Sequence, residues 1–271
     1  MQNLGIEFIS VFGMPPVAYI ELAAELGCRN VSLGFQQTDF DPHGFPRYDL
    51  RGYAALRREL KAALAANDVS IALGENLLVQ AEVDMRDFWR SELELFAELG
   101  VTRINSVSFE PDLQRNIDQY GQLAEITADF GIKALLEFVP IFGVADIPTA
   151  LTVIEKVGHP NLGMIVDTMH VARSGATADD LRALPPELVG YIQLCDAPFT
   201  AEIPDYMYEA MFERKVPGEG ELPLADYLRA LPRDRIVSLE VPLRAEAERG
   251  VDTRERLGRT VAAARELLGS L

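Results

Sequence analysis

The sequence predicts a (β/α)8 barrel. Short β-like runs alternate with longer helix-like runs from end to end, several helical runs stop at a glycine before the next strand, and the repeat length is right. Eight units across 271 residues leave about 34 residues for each, a size suited to repeated βα units. The whole chain also matches the ~250 residues typical of one such barrel, so residues 1–271 read as a single domain. An open doubly wound sheet is the alternative, but no Gly-rich phosphate turn follows the first strand-like run.

In chain order the expected strands are Leu4–Val11, Asn30–Phe35, Val69–Gly74, Val101–Ser108, Ile132–Phe138, Leu162–Thr168, Leu188–Cys195 and Arg235–Val241. Each is a short run rich in β-branched and other apolar residues. Between them, helical patterns cover Pro15–Leu26, Leu50–Ala66, Met85–Leu99, Leu113–Phe130 and Ile147–Val157, and Thr253–Leu268 closes the series. Gly27, Gly100, Gly131 and Gly158 stand where helices end, because glycine adopts the left-handed cap cheaply. Two connections exceed what the scaffold needs, Gln36–Asp49 after strand two and Ala197–Leu222 after strand seven. Loops of that length in compact folds are usually lids or binding loops. Both would emerge at the C-terminal face, where barrel active sites sit.

Composition narrows the function classes. Hydrophobic residues make up 48% of the chain, enough for a sizeable core. A net charge of −17 argues against a nucleic-acid partner, which needs a basic face. No apolar run approaches the ~20 residues of a membrane span. The opening MQNLGIEFIS lacks the pattern of a secretory signal. Cys28 and Cys195 have no paired spacing, so neither a disulfide framework nor a zinc knuckle is indicated. The expectation is a cytoplasmic enzyme with a small-molecule substrate.

Four strand-like segments of the second half each interrupt an apolar pattern with one metal-competent residue. These are Glu137 in KALLEF, Asp167 in LGMIVDT, Gln193 in LVGYIQLCD and Glu240 in RIVSLEV. Burying three carboxylates and an amide in apolar strands is costly unless they are paired or coordinate a cation. Strand alternation puts Glu137 on the face of Leu135, and Glu240 on the face of Ser238 and Ile236. In a barrel that face is the lumen, while Leu136, Phe138, Leu239 and Val241 point to the helices. Four consecutive strands then converge Glu137, Asp167, Gln193 and Glu240 on one point as metal ligands. An all-oxygen donor set favours Mn²⁺ or Mg²⁺, with Co²⁺ a third candidate.

The chain resembles the sugar-phosphate isomerase/epimerase superfamily, the xylose isomerase-like TIM barrels. The likeness is sharpest in LLEFVP (Leu135–Pro140), NLGMIVDTMHVARSG (Asn161–Gly175), YIQLCDAP (Tyr191–Pro198), RKVPGEGELP (Arg214–Pro223) and VSLEVP (Val237–Pro242). The resemblance implies one divalent cation held by Glu137, Asp167, Gln193 and Glu240. It also implies that Glu137 and Glu240 flank the substrate, one taking and one returning a proton. His170 matches the family's D-x-x-H, which implies substrate contact or proton relay. Arg214 matches R-x-x-P-G-E-G, and its guanidinium would bind a substrate oxygen, carboxylate or phosphate. Many family epimerases carry His where this chain has Gln193; a Gln there resembles some 3-dehydroshikimate dehydratases of the same barrel.

The leading expectation is therefore a metal-dependent isomerase or epimerase of a small keto or aldo sugar or related polyol. The alternative is a lyase acting on a cyclic keto acid or a 3-keto-glycoside. An endonuclease IV-like repair enzyme needs a His-rich zinc cluster, and this chain has three His in total. A non-catalytic sugar-binding barrel is the remaining reading. Barrels of this family often pair, so a homo-oligomer is also expected. Weaker site candidates are His43 as a substrate cover, Glu75 as a pocket residue, Arg173 as an anion contact and Asp196 as a support for Gln193. Glu219 reads as a loop-ordering residue, His159 as a turn residue and Trp89 as helix packing.

Overall fold

A computed structural model describes residues 3–80 and 84–271. Eight parallel strands close on themselves in chain order. They are β1 (Leu4–Ile6), β2 (Asn30–Leu33), β3 (Ser70–Val79), β4 (Arg103–Ser108), β5 (Lys133–Glu137), β6 (Leu162–Asp167), β7 (Val189–Leu194) and β8 (Val237–Leu239). β1 pairs with β8, with Gly5 opposite Ser238, and this pairing completes the barrel. Gly27, Gly100, Gly131 and Gly158 all take positive φ, between 61° and 78°, as helix stops. Among the described residues, no helix is long and apolar enough to cross a membrane.

Two cores divide the work. The larger fills the space between strands and helices and includes Leu136, Phe138, Val166, Leu194 and Leu239. The smaller plugs the lumen with Ala72, Leu73, Leu135, Ile165 and Tyr191, with Ile236 packed against it. The alternation expected for β5 to β8 is thus realised, with an apolar floor one layer below the polar strand ends. Gly190 is required by that floor, because a Cβ there would overlap the Leu135 side chain.

The strand limits differ from the sequence reading where the chain turns early. The run Leu4–Val11 gives only β1; Phe8–Val11 forms a 3₁₀ turn instead. Ser10 holds that turn over the barrel rim by donating to the Leu239 carbonyl and accepting from Val241 N. An unbroken apolar run cannot by itself distinguish these two outcomes. β3 runs five residues beyond Gly74 to Val79, through a register irregularity that includes Asn76 at φ 72°. The run Met85–Leu99 divides into helices Met85–Phe88 and Arg90–Glu98, with buried Trp89 at the break. The long connection after β7 contains a helix, Tyr206–Phe212, which lies over the barrel mouth.

Candidate active and metal site

The C-terminal ends of β5, β6, β7 and β8 carry Glu137, Asp167, Gln193 and Glu240, all buried. Register sets their heights: Asp167 lies opposite Gln193, and Gln193 opposite Ser238, two residues before Glu240. Above the floor Asp167 and Glu240 meet Arg214, and Glu137 and Asp167 meet His170. A cavity of about 210 Å³ opens beside them, bounded by Glu7, Glu75, Glu137, Glu240, His170 and Arg214 on its polar side. Val107, Phe109, Phe142, Met207 and Met211 form its apolar wall.

Asp167 is held by the chain immediately after it. Its Oδ1 accepts from the backbone N–H groups of Met169 (2.7 Å) and His170 (2.9 Å), capping the short helix Thr168–Arg173. The cap gives D-x-x-H its local logic, because fixing the Asp also sets His170 above the strand end. His170 Nε2 then lies 3.2 Å from Glu137 Oε1, and its Nδ1 lies 2.6 Å from the Tyr206 hydroxyl. Glu137 Oε2 accepts from Asn105 Nδ2 at 2.6 Å.

Arg214 is the cation of the site. Its Nη1 donates to Asp167 Oδ2 at 2.5 Å, and its Nη2 lies 2.9 Å from Glu240 Oε2. Its Nε donates to the Ala210 carbonyl, which ties the guanidinium to the covering helix. Burial opposes charge on Asp167, but the Arg214 and His170 charges and its hydrogen bonds outweigh this and hold its carboxyl below the usual range. Glu240 goes the other way: burial, with the nearby Asp167 and Glu137 charges, pushes its carboxyl well up despite Arg214. Arg214 itself stays firmly charged, since Asp167 and Glu240 offset its burial.

The residues present fit a divalent cation. Among the described His, Cys, Asp and Glu residues, Glu137, Asp167 and His170 bring ligand atoms within 4.8 Å of one another. The Gln193 amide donates its Nε2 to Glu240 Oε1 at 3.2 Å, while its buried Oε1 has no hydrogen-bond partner. A buried carbonyl oxygen without a donor is costly, and a cation would satisfy it. The structure thus brings His170 together with Glu137 and Asp167, whereas Glu240 is outside that group and is joined to Asp167 through Arg214.

Several other candidates find their places. Glu75 lines the cavity, as expected of a pocket residue. His43 does not cover it: its Nε2 faces Thr253 Oγ1 and Arg256 Nη2 on the other side of the loop after β2. Arg173 does not face the cavity either, because Glu209 takes it in two hydrogen bonds. Asp196 supports a loop and makes no hydrogen bond to Gln193; it accepts from the N–H groups of Ala197, Gly218 and Leu222. Gly220 is needed for that approach, since a Cβ would overlap Asp196 Oδ1. Glu219 is exposed near Arg259, and His159 accepts from Asn161 N in a turn.

Three residues of the site escaped the sequence reading: Glu7, Asn105 and Tyr206. Glu7 carries the same signal as the four strand-end residues, a polar side chain inside an apolar run (LGIEFIS), whereas Asn105 is hidden among the other polar residues of RINSVS. Tyr206 carries none, because its role depends on how the long loop folds back.

The class of protein defined by this fold and mouth is a TIM barrel with an acidic site at the strand ends. The family model for xylose isomerase-like TIM barrels matches residues 20–263, and the chain belongs to that family. Solved structures agree on the fold. The IOLI protein with a bound zinc atom superimposes at a TM-score of 0.81, with 18% identity over 99% of this chain and 98% of that one. A probable 3-DHS dehydratase, AsbF of Bacillus anthracis, gives 0.76 with 16% identity over 97% and 98%. A D-psicose 3-epimerase from Clostridium cellulolyticum H10, crystallised with D-tagatose, gives 0.74 with 17% identity over 98% and 99%. No curated protein matches the chain significantly in sequence.

Proposed function

We propose that this chain is a divalent-metal-dependent isomerase or epimerase of a small keto or aldo sugar or related polyol. One observation carries the reading: Glu137, Asp167 and His170 bring ligand atoms within 4.8 Å of one another, Glu137 and His170 lining a cavity, and Gln193 Oε1 is left without a donor. The epimerases among the structural neighbours support it. Glu137, Asp167, Gln193 and Glu240 would hold the cation, with His170 close enough to share in it. The oxygen-rich set suits Mn²⁺ or Mg²⁺, with Co²⁺ as a substitute. When bound, such a cation polarises a carbonyl and acidifies the adjacent C–H.

The chain's own residues do the rest. Glu137 ends β5, Glu240 follows β8, and both line the cavity, so one carboxylate takes the proton and the other returns it. Return to the neighbouring carbon isomerises; return to the opposite face epimerises. His170, braced by Tyr206, orients or relays the proton at a substrate hydroxyl. Arg214 balances Asp167 and Glu240 and offers a donor to a substrate oxygen. The helix Tyr206–Phe212 and the apolar wall limit access of water to the intermediate.

Proton NMR in D2O with a panel of keto-sugars tests this reading. Exchange of a carbon-bound proton without loss of water is the expected result. Water loss from 3-dehydroshikimate, followed by its ultraviolet absorbance, would replace the reading with the dehydratase one. No exchange with any sugar of the panel would count against the isomerase.

A further inference from the structure

The proposed function gives no role to the loop after β2, although that connection is longer than the scaffold needs. The structure sets the start of this loop against the end of the covering helix, and a groove of about 440 Å³ runs between them. Phe8, Phe12, Phe35, Phe40 and Phe212 supply its phenyl walls. Phe40 meets Phe12 edge-on at 5.0 Å and Phe212 at 5.7 Å, so loop and helix are joined through their rings.

This groove adjoins the cavity at the proposed metal centre. Phe8, Ile9, Asn76, Leu78 and Met211 line both. Of these only Phe8 is buried; Ile9, Leu78 and Met211 are half-buried, and Asn76 is exposed. The border is therefore a ridge open to solvent, and a ligand seated in the cavity can extend across it. By itself the cavity, at about 210 Å³, falls below the ~300–1,000 Å³ of ordinary small-molecule sites, whereas cavity and groove together fall within that range.

The walls decide what the extension is. A flat aromatic group offers faces and edges to the phenyl rings and to the Met211 thioether, contacts that add to simple burial. A second sugar would lose water from its hydroxyl groups against buried Phe8, Phe12 and Phe35. The polar groups nearby are engaged in the loop: Thr38 donates to the Phe40 carbonyl at 3.0 Å, and Gln37 Oε1 accepts from Tyr48 N at 3.2 Å. Gln37 keeps a buried Nε2 without an acceptor, but one donor cannot serve the several hydroxyls of a sugar ring. A flexible alkyl chain would lose rotamer freedom that a rigid ring does not have. An anionic extension gains little from Arg51, which lies over the Phe35 ring at 4.7 Å and is already paired with Asp49 at 3.7 Å and Glu92 at 3.3 Å.

We propose that this groove is a subsite for an aromatic substituent, so that the substrate is a keto or aldo polyol bearing an aryl group and not a free monosaccharide. The polyol half rests on the function proposed above; the aryl half stands on the groove.

Two measurements separate the halves. In metal-free protein labelled with carbon-13 at the methionine methyls, benzyl alcohol is expected to move the Met211 resonance, assigned by its loss in Met211→Leu. Met164, packed in the core on the helix side of β6, should not move. Cyclohexylmethanol, the saturated counterpart, should bind at least about threefold more weakly, because it lacks the ring-to-ring contacts. Gln36→Trp fills the groove from its exposed rim and Phe40→Ala strips one wall, and each should weaken the benzyl alcohol titration at least about fivefold while Mn²⁺ uptake is unchanged. A stationary Met211 resonance, equal binding of the two alcohols, or an unchanged titration in both variants overturns the subsite. On Mn²⁺-loaded protein, calorimetry should find 6-O-benzyl-D-fructose bound about tenfold or more tighter than 6-O-methyl-D-fructose. Equal affinities would overturn the aryl substrate. No binding of either sugar, with the benzyl alcohol response intact, would sink the polyol reading and leave the aryl subsite standing.

Discussion

Gln193 gives its amide N–H to Glu240 at 3.2 Å, and that bond turns the amide oxygen away, buried and without a donor. The orientation distinguishes a ligand-ready amide from a structural one. Gln193→Leu removes the oxygen and is expected to lower Mn²⁺ affinity by at least about tenfold, the scale seen when groups at a metal site are lost. Glu240→Ala should abolish stoichiometric metal. Metal analysis of dialysed protein checks both, and equal content in wild type and Glu240→Ala would exclude Glu240 as a ligand.

Arg214 and a divalent cation would serve the same two acids. Without metal, Arg214→Met leaves Asp167 and Glu240 buried with their shared countercharge gone, at a cost of about 3–5 kcal/mol. Urea unfolding of the metal-free variant should show that loss. Adding Mn²⁺ should restore more stability to Arg214→Met than to wild type; an equal gain in both would mean that metal and guanidinium act independently.

Tyr206 braces His170 from the covering helix. Tyr206→Phe removes one hydrogen bond, worth about 1 kcal/mol to folding. The effect on function should be larger, about 10–100-fold on turnover or metal affinity, because the imidazole loses the partner that orients it. A variant with wild-type turnover would reduce Tyr206 to a packing residue.

The lumen floor is a filled space. Gly190→Ala drives a methyl group into Leu135 and is expected to cost about 1–3 kcal/mol. Shortening the neighbour in Leu135→Val should recover part of that loss in the double variant. Thermal melts of the two single variants and the double variant test this, and purely additive losses would contradict the contact.

Both cysteines are buried, and burial pushes the thiol of Cys28 up to about 11. A thiol raised above its unfolded value adds stability that is complete below the unfolded pKa and fades as pH rises through the folded one. The slope of stability against pH between about 9 and 11 should therefore be shallower in Cys28→Ala than in wild type. Identical slopes would show that the thiol ionises freely in the folded chain.

The fold and half of the site were legible because their signals are local. Strand alternation tells which side of β5 to β8 faces the lumen, so Glu137, Asp167, Gln193 and Glu240 could be set on one face before any contact was known. Glycine stops such as Gly158 act within a single helix turn. Asp167 and His170 are coupled by a cap spanning three residues, which again is a local matter.

The rest depended on closure of the barrel. Glu7, after β1, and Glu75, in β3, line one cavity, and the irregular register of β3 sets where Glu75 falls. Tyr206 reaches His170 only because the connection after β7 folds into a helix over the mouth. Arg214 reads from sequence as a substrate arginine, and only the three-dimensional arrangement assigns it Asp167 and Glu240. His43 shows the reverse, since its loop position suggested a cover while packing turned it toward Arg256. Residue type and periodicity decided which groups enter the lumen; the partners each group meets were decided by long-range packing, which no local pattern encodes.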